Sequence, residues 1–170
     1  MTLALEIAHA ISALHVKTAI DLIEVEVEVP GVGAAAAYAA GDQMGTLLKF
    51  QNVARIEGGS GVIVSAIFID RDDEGLGKTL HIFRRPVVLA IDNAAYTMPV
   101  EDTDVRSWRK DISFSIFTDH LNSQTSEASP LLYYKCGPGE TSLYGALETE
   151  GADNIAAGMS PVIVLLVARD

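Results

Sequence analysis

The chain has 170 residues, of which 49% are hydrophobic, so it is long enough for one well-packed domain and too short for two domains of ordinary size. The net charge of -11 argues against a nucleic-acid surface, because phosphate binding requires clustered lysine and arginine. The single cysteine, Cys136, cannot form an internal disulfide. The fold must therefore be stabilised by burial, and a structural thiol is favoured over a nucleophile.

The N-terminal segment has an apolar stripe at helical spacing. The stripe consists of Leu3, Ile7, Ile11 and Leu14. It predicts a short amphipathic helix, and Glu6 and His9 interrupt the apolar run that a signal peptide needs. Helices shorter than ~12 to 15 residues are marginal in water, so this stripe needs a partner. We expect an arm that contacts a neighbouring subunit or another partner, with packing on its own domain as the alternative.

From Ile20 onwards the apolar period changes from helical to two. Apolar residues at 23, 25, 27 and 29 alternate with Glu24, Glu26 and Glu28, which predicts a half-exposed strand. Further predicted strands lie at 45–50, 61–70, 78–83, 86–91, 111–117, 130–135, 141–148 and 161–168. About nine strands separated by Gly, Pro, Asp and Asn are typical of sandwiches and jelly rolls.

The predicted strand at 61–70 is apolar on both faces. Val62, Val64, Ala66 and Phe68 alternate with Ile63, Ile67 and Ile69. Both faces therefore need cover, which a second layer or a neighbouring subunit must supply. Leftover apolar surface in a small domain favours a closed assembly, and we expect a trimer.

The stretch IDRDDEGLGKTLHIF, residues 69–83, imitates two ligand sites. Asp70, Asp72 and Glu74 before Gly75 have the spacing of a calcium loop, but its closing position holds His81 in place of glutamate. The sequence GKT imitates a phosphate loop, yet the required earlier glycine is missing and a strand follows. These mismatches favour a solvated hairpin loop.

Other candidates for chemistry are weaker. Asp119, His120 and Ser123 lack a nucleophile elbow, so a polar surface loop is favoured over a catalytic triad. The four histidines, at 9, 15, 81 and 120, show no zinc-ligand spacing. Carboxylates at 21–28 and 101–104 could in principle pair for glycoside hydrolysis, but aromatics are only 6% of the chain, so solvated faces are favoured.

Four segments in order resemble a known family. They are AYAAGDQMG (37–45), FQNVARIEGGSGVIVSAIFIDRDD (50–73), FRRPVVLAIDNAAY (83–96) and SLYGALETEG (142–151). Over roughly residues 37 to 168, the chain resembles the head decoration, or cement, proteins of tailed bacteriophages. Its motifs are strands and turns, with Gly41-Asp42, GGSG at 58–61 and Asp92-Asn93 as expected turn positions. No catalytic signature carries over.

The resemblance and the pattern together give one set of expectations. The fold is an all-β, two-sheet sandwich of jelly-roll type, with an N-terminal arm and first strand at 1–36 and the decoration domain at 37–170. The resemblance implies a virion structural protein, made in the host cytoplasm, that stabilises the outer capsid surface by bridging major capsid protein subunits. We expect no enzymatic activity, cofactor, metal, nucleic acid or membrane. The alternatives are a tail or neck component and a carbohydrate-binding or hydrolytic sandwich.

Overall fold

The computed structural model describes residues 21–32, 36–98 and 108–170 of the chain. All regular structure within these ranges is β. Its strands are β1 (Asp21–Glu28), β2 (Ala36–Ala37), β3 (Gln43–Phe50), β4 (Ser60–Asp70), β5 (Lys78–Phe83), β6 (Trp108–Phe114), β7 (Phe117–Asp119), β8 (Gln124–Ala128), β9 (Leu132–Lys135), β10 (Leu143–Thr149), β11 (Asn154–Ile155) and β12 (Val162–Arg169).

These strands form two principal antiparallel sheets. The six-stranded sheet has the order β1-β12-β4-β8-β7, with β9 also paired to β4, and the four-stranded sheet has the order β3-β10-β5-β6. The pairs are nested along the chain: β1 with β12, β3 with β10, β4 with β8 and β9, and β5 with β6. A long hairpin folded over in this way, with its strand pairs distributed alternately between two sheets, is a jelly roll. The predicted two-sheet sandwich is confirmed.

The core lies between the two sheets. Alternation places Ile163, Leu165 and Val167 of β12 inward, and they meet inward residues of the opposite sheet such as Leu48 and Leu80. The rings of Phe68 on β4 and Phe114 on β6 lie 5.6 Å apart and join the layers directly. Each such side chain contributes about 1.5–3 kcal/mol when it is fully buried, so the inner faces dominate the stability.

The strand that is apolar on both faces carries a β-bulge. Leu166 pairs with Ser65 while Val167 pairs with Ile63, so Val64 is the extra residue. The bulge shifts the side-chain alternation: Phe68 is buried in the core, whereas Val62 is only partly buried. The predicted grouping of Val62 and Phe68 on one face is therefore wrong, because strict alternation takes no account of an inserted residue.

One predicted strand is irregular in the structure. Residues 86–91 join neither sheet, and the carbonyl of Ala90 accepts a hydrogen bond from the Gln43 side chain at 2.8 Å. Burial still alternates, with Val87 buried and Val88 80% exposed, which explains the strand-like pattern.

The strand β8 is not predicted from the sequence, because its residues, QTSEA, contain no apolar run. At two of the expected turn positions, Gly41 and Gly58 have φ of 88° and 68°.

Candidate functional site

The outer face of the six-stranded sheet carries an apolar band on its two central strands. The band consists of Val162, Val164, Leu166 and Ala168 on β12 and Val62, Ile67 and Ile69 on β4. These side chains are partly exposed and belong to neither of the two buried clusters that the described residues form. We call this surface the open face. On β4, the open face is the second apolar side of the strand, for which the sequence predicted a need for cover.

Acidic side chains border the band along β1. Glu28, Glu26 and Glu24 stand beside Val162, Val164 and Leu166 in the strand register, and all three glutamates are exposed. Of these three glutamates, Glu28 alone has an ion pair within the described ranges, with Arg71 at 3.2 Å. On the other side, Glu127 of β8 accepts a hydrogen bond from Ser65 at 3.0 Å. An apolar strip with a charged rim has the organisation of a protein-contact surface.

Two larger apolar side chains extend one end of the band. Leu22 is 57% exposed beside Ala168, and Tyr133 is 64% exposed beside Val62. Large exposed apolar side chains next to a partly exposed strip enlarge the area that a partner can bury. Leu22, Ala168, Val62 and Tyr133 form one continuous row across four strands.

The outer face of the four-stranded sheet is covered by the chain itself. The segment from Arg84 to Met98 supplies Val87, which is buried with Phe83 and Tyr144 of the sheet, and Leu89, Tyr96 and Met98 pack around them. Asp92 fastens this segment, because its Oδ1 accepts hydrogen bonds from Tyr38 Oη at 2.7 Å and from the Gly45 amide at 2.6 Å. We call this surface the covered face.

A histidine between two carboxylates lies on the covered face. His81 Nδ1 is 2.6 Å from Asp111 Oδ1, and its Nε2 is 2.9 Å from Glu148 Oε2. The ring stacks on Tyr96 with centroids 4.2 Å apart. Burial, followed by the charges of Asp111 and Glu148, raises the pKa of Tyr96 far above its usual range. With its nitrogens engaged and one ring surface stacked, the buried imidazole links β5 to its neighbours β6 and β10 and to the covering segment.

Sequence spacing could not identify this cluster. Its members come from β5, β6, β10 and the covering segment, and the carboxylates lie 30 and 67 residues from the histidine along the chain. The only local signal is the position of each residue on the outward face of a strand. Knowledge of the strand order is needed to bring them together.

The stretch that imitates two ligand sites is a structural crossover. Asp70 is 2% exposed, and its carboxylate accepts amide hydrogen bonds from Asp72, Glu74 and Gly75 at 3.0, 3.1 and 2.9 Å. The loop runs from β4 in one sheet to β5 in the other, so the expected hairpin is wrong. A turn was correctly favoured, because both oxygens of the key carboxylate are occupied by its own backbone. Burial and the charge of Asp153 raise the pKa of Glu74.

The remaining candidates have local structural roles. Asp119 accepts the Leu121 amide at 2.7 Å, and His120 Nε2 contacts the Thr125 hydroxyl at 2.8 Å, as in the predicted polar loop. Cys136 is buried, and burial followed by the charge of Glu140 raises the pKa of its thiol to about 11. The thiol is therefore protonated at neutral pH, in agreement with a structural role.

Asp21, another of the carboxylates considered for catalysis, is paired with arginine. Arg169 Nε and Nη2 both lie 2.7 Å from its Oδ2, and Arg55 Nε lies 3.6 Å away. The hydrogen bond from Arg169 lowers the pKa of this carboxyl group. The contact joins the start of β1 to the end of β12, so Asp21 stabilises the pairing of these two strands.

Several predicted residues lie outside the described part of the chain. They are Leu3, Ile7, Ile11 and Leu14 of the expected arm, His9, His15, and the carboxylates Glu101, Asp102 and Asp104. Within the described ranges, no group of three or more His, Cys, Asp or Glu residues is arranged to hold a metal ion. No helix in those ranges has the length and apolar character needed to cross a membrane.

Comparison with known proteins gives little beyond this geometry. No protein-family model matches the chain, and no curated protein matches it. One solved structure that matches is of Desmodium yellow mottle tymovirus, with 8% sequence identity and a TM-score of 0.29 over 88% of this chain and 86% of that chain. A similarity of this size carries no argument about function, which must rest on the surfaces described above.

Proposed function

We propose that this protein is a virion structural protein that decorates the outer surface of a tailed-bacteriophage capsid and bridges neighbouring major capsid protein subunits. The observation that carries the proposal is the open face, an apolar band with an acidic rim on an otherwise well-packed domain. The resemblance of four segments to decoration proteins supports the same role. Jelly rolls include viral capsid domains, but also lectins and cupins, so the fold alone does not decide.

The proposed mechanism is mechanical. Burial of apolar surface contributes about 25 cal/mol per Å², and a stable contact typically buries about 800 Å² on each partner. Many copies, each joining two capsid subunits across such a contact, oppose the outward pressure of packaged DNA. The net charge of -11 favours the exterior, because the DNA inside repels an acidic surface.

The proposed assembly is a homotrimer with an N-terminal arm. The open face and the apolar stripe at Leu3, Ile7, Ile11 and Leu14 are two surfaces that need partners. The arm directly precedes β1, which is the edge strand beside the band. We assign the arm to a neighbouring subunit or the capsid, and no enzymatic activity, cofactor or metal enters this role.

Capsid binding by charge variants of the open face tests the proposal. Val164→Lys places a charge in the middle of the band, where Glu26 can accompany it in the free protein but a bound partner has to desolvate it. We expect binding to decoration-free capsids to weaken at least about tenfold, with the melting temperature almost unchanged. Ser113→Lys, on an exposed site of the other sheet, is the matched control. Equal binding by both variants contradicts the proposal.

The arm and the assembly are tested separately. Deleting Met1 to Lys17 is expected to leave a folded sandwich that binds capsids more weakly, and Ile7→Asp with Ile11→Asp is expected to have the same effect. Unfolding of the shortened protein assigns the arm to its own core. Sedimentation of the intact protein is expected to show trimers, and a monomer under all conditions rules the trimer out.

Counting the copies in purified virions distinguishes the alternatives. A decoration protein is present in hundreds of copies, whereas a tail or neck component is present in few. The carbohydrate-binding alternative predicts retention on a glycan array, and loss of that retention in Tyr133→Ala, since Tyr133 is the exposed aromatic side chain on the open face.

A further inference from the structure

Lys78 and Asp153 form an ion pair inside the sandwich. Lys78 begins β5 and Asp153 directly precedes β11, and each side chain is only 1% exposed. The Lys78 Nζ lies 2.7 Å from Asp153 Oδ2 and 5.5 Å from the centre of the Phe68 ring on the opposite sheet. Removing both charges from water carries a large desolvation penalty, so a buried pair of this kind is a poor stabiliser.

The two oxygens of Asp153 have different surroundings. Oδ1 accepts a hydrogen bond from the Asn154 amide at 2.9 Å. Oδ2 is buried and has no hydrogen bond within the described ranges, although Lys78 Nζ lies 2.7 Å away. The ammonium group itself donates to the Leu76 carbonyl at 2.8 Å. One oxygen is therefore held by the Asn154 backbone amide, and the other lies against the Lys78 amine.

We propose that Lys78 and Asp153 condense to an intramolecular isopeptide bond. In the first step a proton passes from the Lys78 ammonium group to Asp153 Oδ2, which lies 2.7 Å away, and leaves a free amine as the nucleophile. The Lys78 Nζ then forms a bond to Asp153 Cγ, and the bond from Cγ to Oδ2 breaks. Oδ2 leaves as water with its own proton and one proton from the amine. Mass and charge balance within the pair, and no oxidant or other reactant is required.

The surroundings already match the product. An amide has one N–H donor and one carbonyl acceptor, and both need partners when they are buried. The Leu76 carbonyl is in place to accept the remaining proton on Nζ, and the Asn154 amide is in place to donate to Oδ1. The oxygen that departs is the one without an aligned hydrogen bond. Condensation therefore removes two buried charges and leaves no new polar atom unsatisfied.

The bond has a consequence independent of the proposed capsid role. It covalently joins the start of β5 to the segment between β10 and β11, across the part of the chain that contains β6 to β10. Closing a loop of this length reduces the entropy of the unfolded chain as a disulfide does. The chemistry requires no redox environment, so it provides a covalent restraint in a protein whose single cysteine cannot.

Intact-mass spectrometry of the denatured protein tests the proposal. The wild-type chain is expected to be lighter than its sequence by one water, and protease digestion is expected to give a branched peptide that contains Lys78 and Asp153. Lys78→Arg keeps the positive charge but is not a suitable nucleophile, so its mass is expected to equal the sequence mass. Asp153→Asn is expected to lose ammonia in place of water, because the carboxamide nitrogen is then the leaving group.

Two results overturn the proposal. One is wild-type protein of full mass after prolonged incubation in the folded state at neutral pH. The other is a water loss that persists in Lys78→Arg, which places the dehydration at another site such as a succinimide. If Lys78→Arg does not fold, the branched peptide of the wild type decides alone. In thermal unfolding, wild-type chains that have formed the bond are expected to melt about 10 °C above wild-type chains that have not yet condensed.

Discussion

The two outer faces of the sandwich are both apolar in part, but the chain itself covers only one of them among the described residues. On the covered face, the chain returns as an irregular segment that buries Phe83 and Tyr144 and is fastened by Asp92. On the open face, a comparable apolar strip on β12 and β4 lies outside both buried clusters of the described residues. A sheet that is apolar on its outer side and is not covered by the described strands is a candidate surface for a partner. The comparison therefore locates the candidate contact surface on one side of the molecule.

The largest expected difference between the faces is in the cost of truncating a large side chain. Phe83→Ala on the covered face is expected to lower the free energy of unfolding by about 3–5 kcal/mol, because the side chain is fully buried. Leu166→Ala on the open face is expected to cost about 1 kcal/mol, since it is partly exposed. Urea denaturation of both variants measures the difference. Similar costs for the two variants mean that the open face is already covered in the isolated protein.

Releasing the covering segment is expected to have the next largest effect. Asp92→Ala removes the acceptor for the Gly45 amide and for Tyr38 Oη, and we expect a loss of about 2–3 kcal/mol in unfolding free energy. Hydrogen exchange is expected to rise in residues 84–98 and to remain unchanged in β12. Equal increases in both regions would show that Asp92 stabilises the whole domain and not the cover.

A pH effect distinguishes the covered face by a different measurement. Burial, followed by the hydrogen bond to Glu140, raises the pKa of Tyr144 from 10.0 to about 12. A raised pKa means that the neutral phenol contributes stability below pH 10, and that this contribution is lost as the pH rises through 12. Tyr144→Phe is therefore expected to reduce the loss of stability between pH 10 and 12 by about 1–3 kcal/mol. Unfolding curves measured at several pH values across that range test this expectation. If stability falls with pH equally in Tyr144→Phe and the wild type, the raised pKa does not belong to Tyr144.

The smallest expected effect lies at the rim of the open face. Ser65→Ala removes a partly buried hydrogen bond to Glu127, and we expect a change in unfolding free energy within about 0.5 kcal/mol. Capsid binding is the sharper measurement, because Ser65 stands among the apolar side chains of the proposed contact surface. A loss greater than about 2 kcal/mol in stability shows that the rim is part of the core.

The sequence predicts what alternation and turn chemistry control locally. The glutamate row of β1, the apolar run of β12 and the turns at Gly41 and Gly58 were all recognisable, because strand period and positive φ are properties of a few adjacent residues. The strand order could not be recognised from the sequence, since nested pairing depends on which apolar faces meet. The bulge at Val64 and the irregular cover at 86–91 were missed for a related reason: both are set by partners distant in sequence.

The chemistry of the side chains shows the same limit. Lys78 and His81 lie three residues apart in one strand, yet Lys78 faces the core and Asp153 while His81 faces outward to Asp111 and Glu148. The alternation of a strand separates the first two residues, but nothing local identifies the carboxylates. Residues 1–20 lie outside the described ranges, so the predicted contact role of the arm stays a prediction.

The pairing of β1 with β12 also constrains how the protein is made. Asp21 pairs with Arg169, so the first described strand obtains its partner only when the last has been synthesised. At ~5–20 residues per second, β1 waits roughly 7 to 30 s on the ribosome with its apolar side chains unpaired. β12 lies between β1 and β4, so the six-stranded sheet cannot close before that moment. Folding of this domain is therefore a late event relative to translation, and until then the glutamates of β1 place a charge at every second position of the unpaired strand.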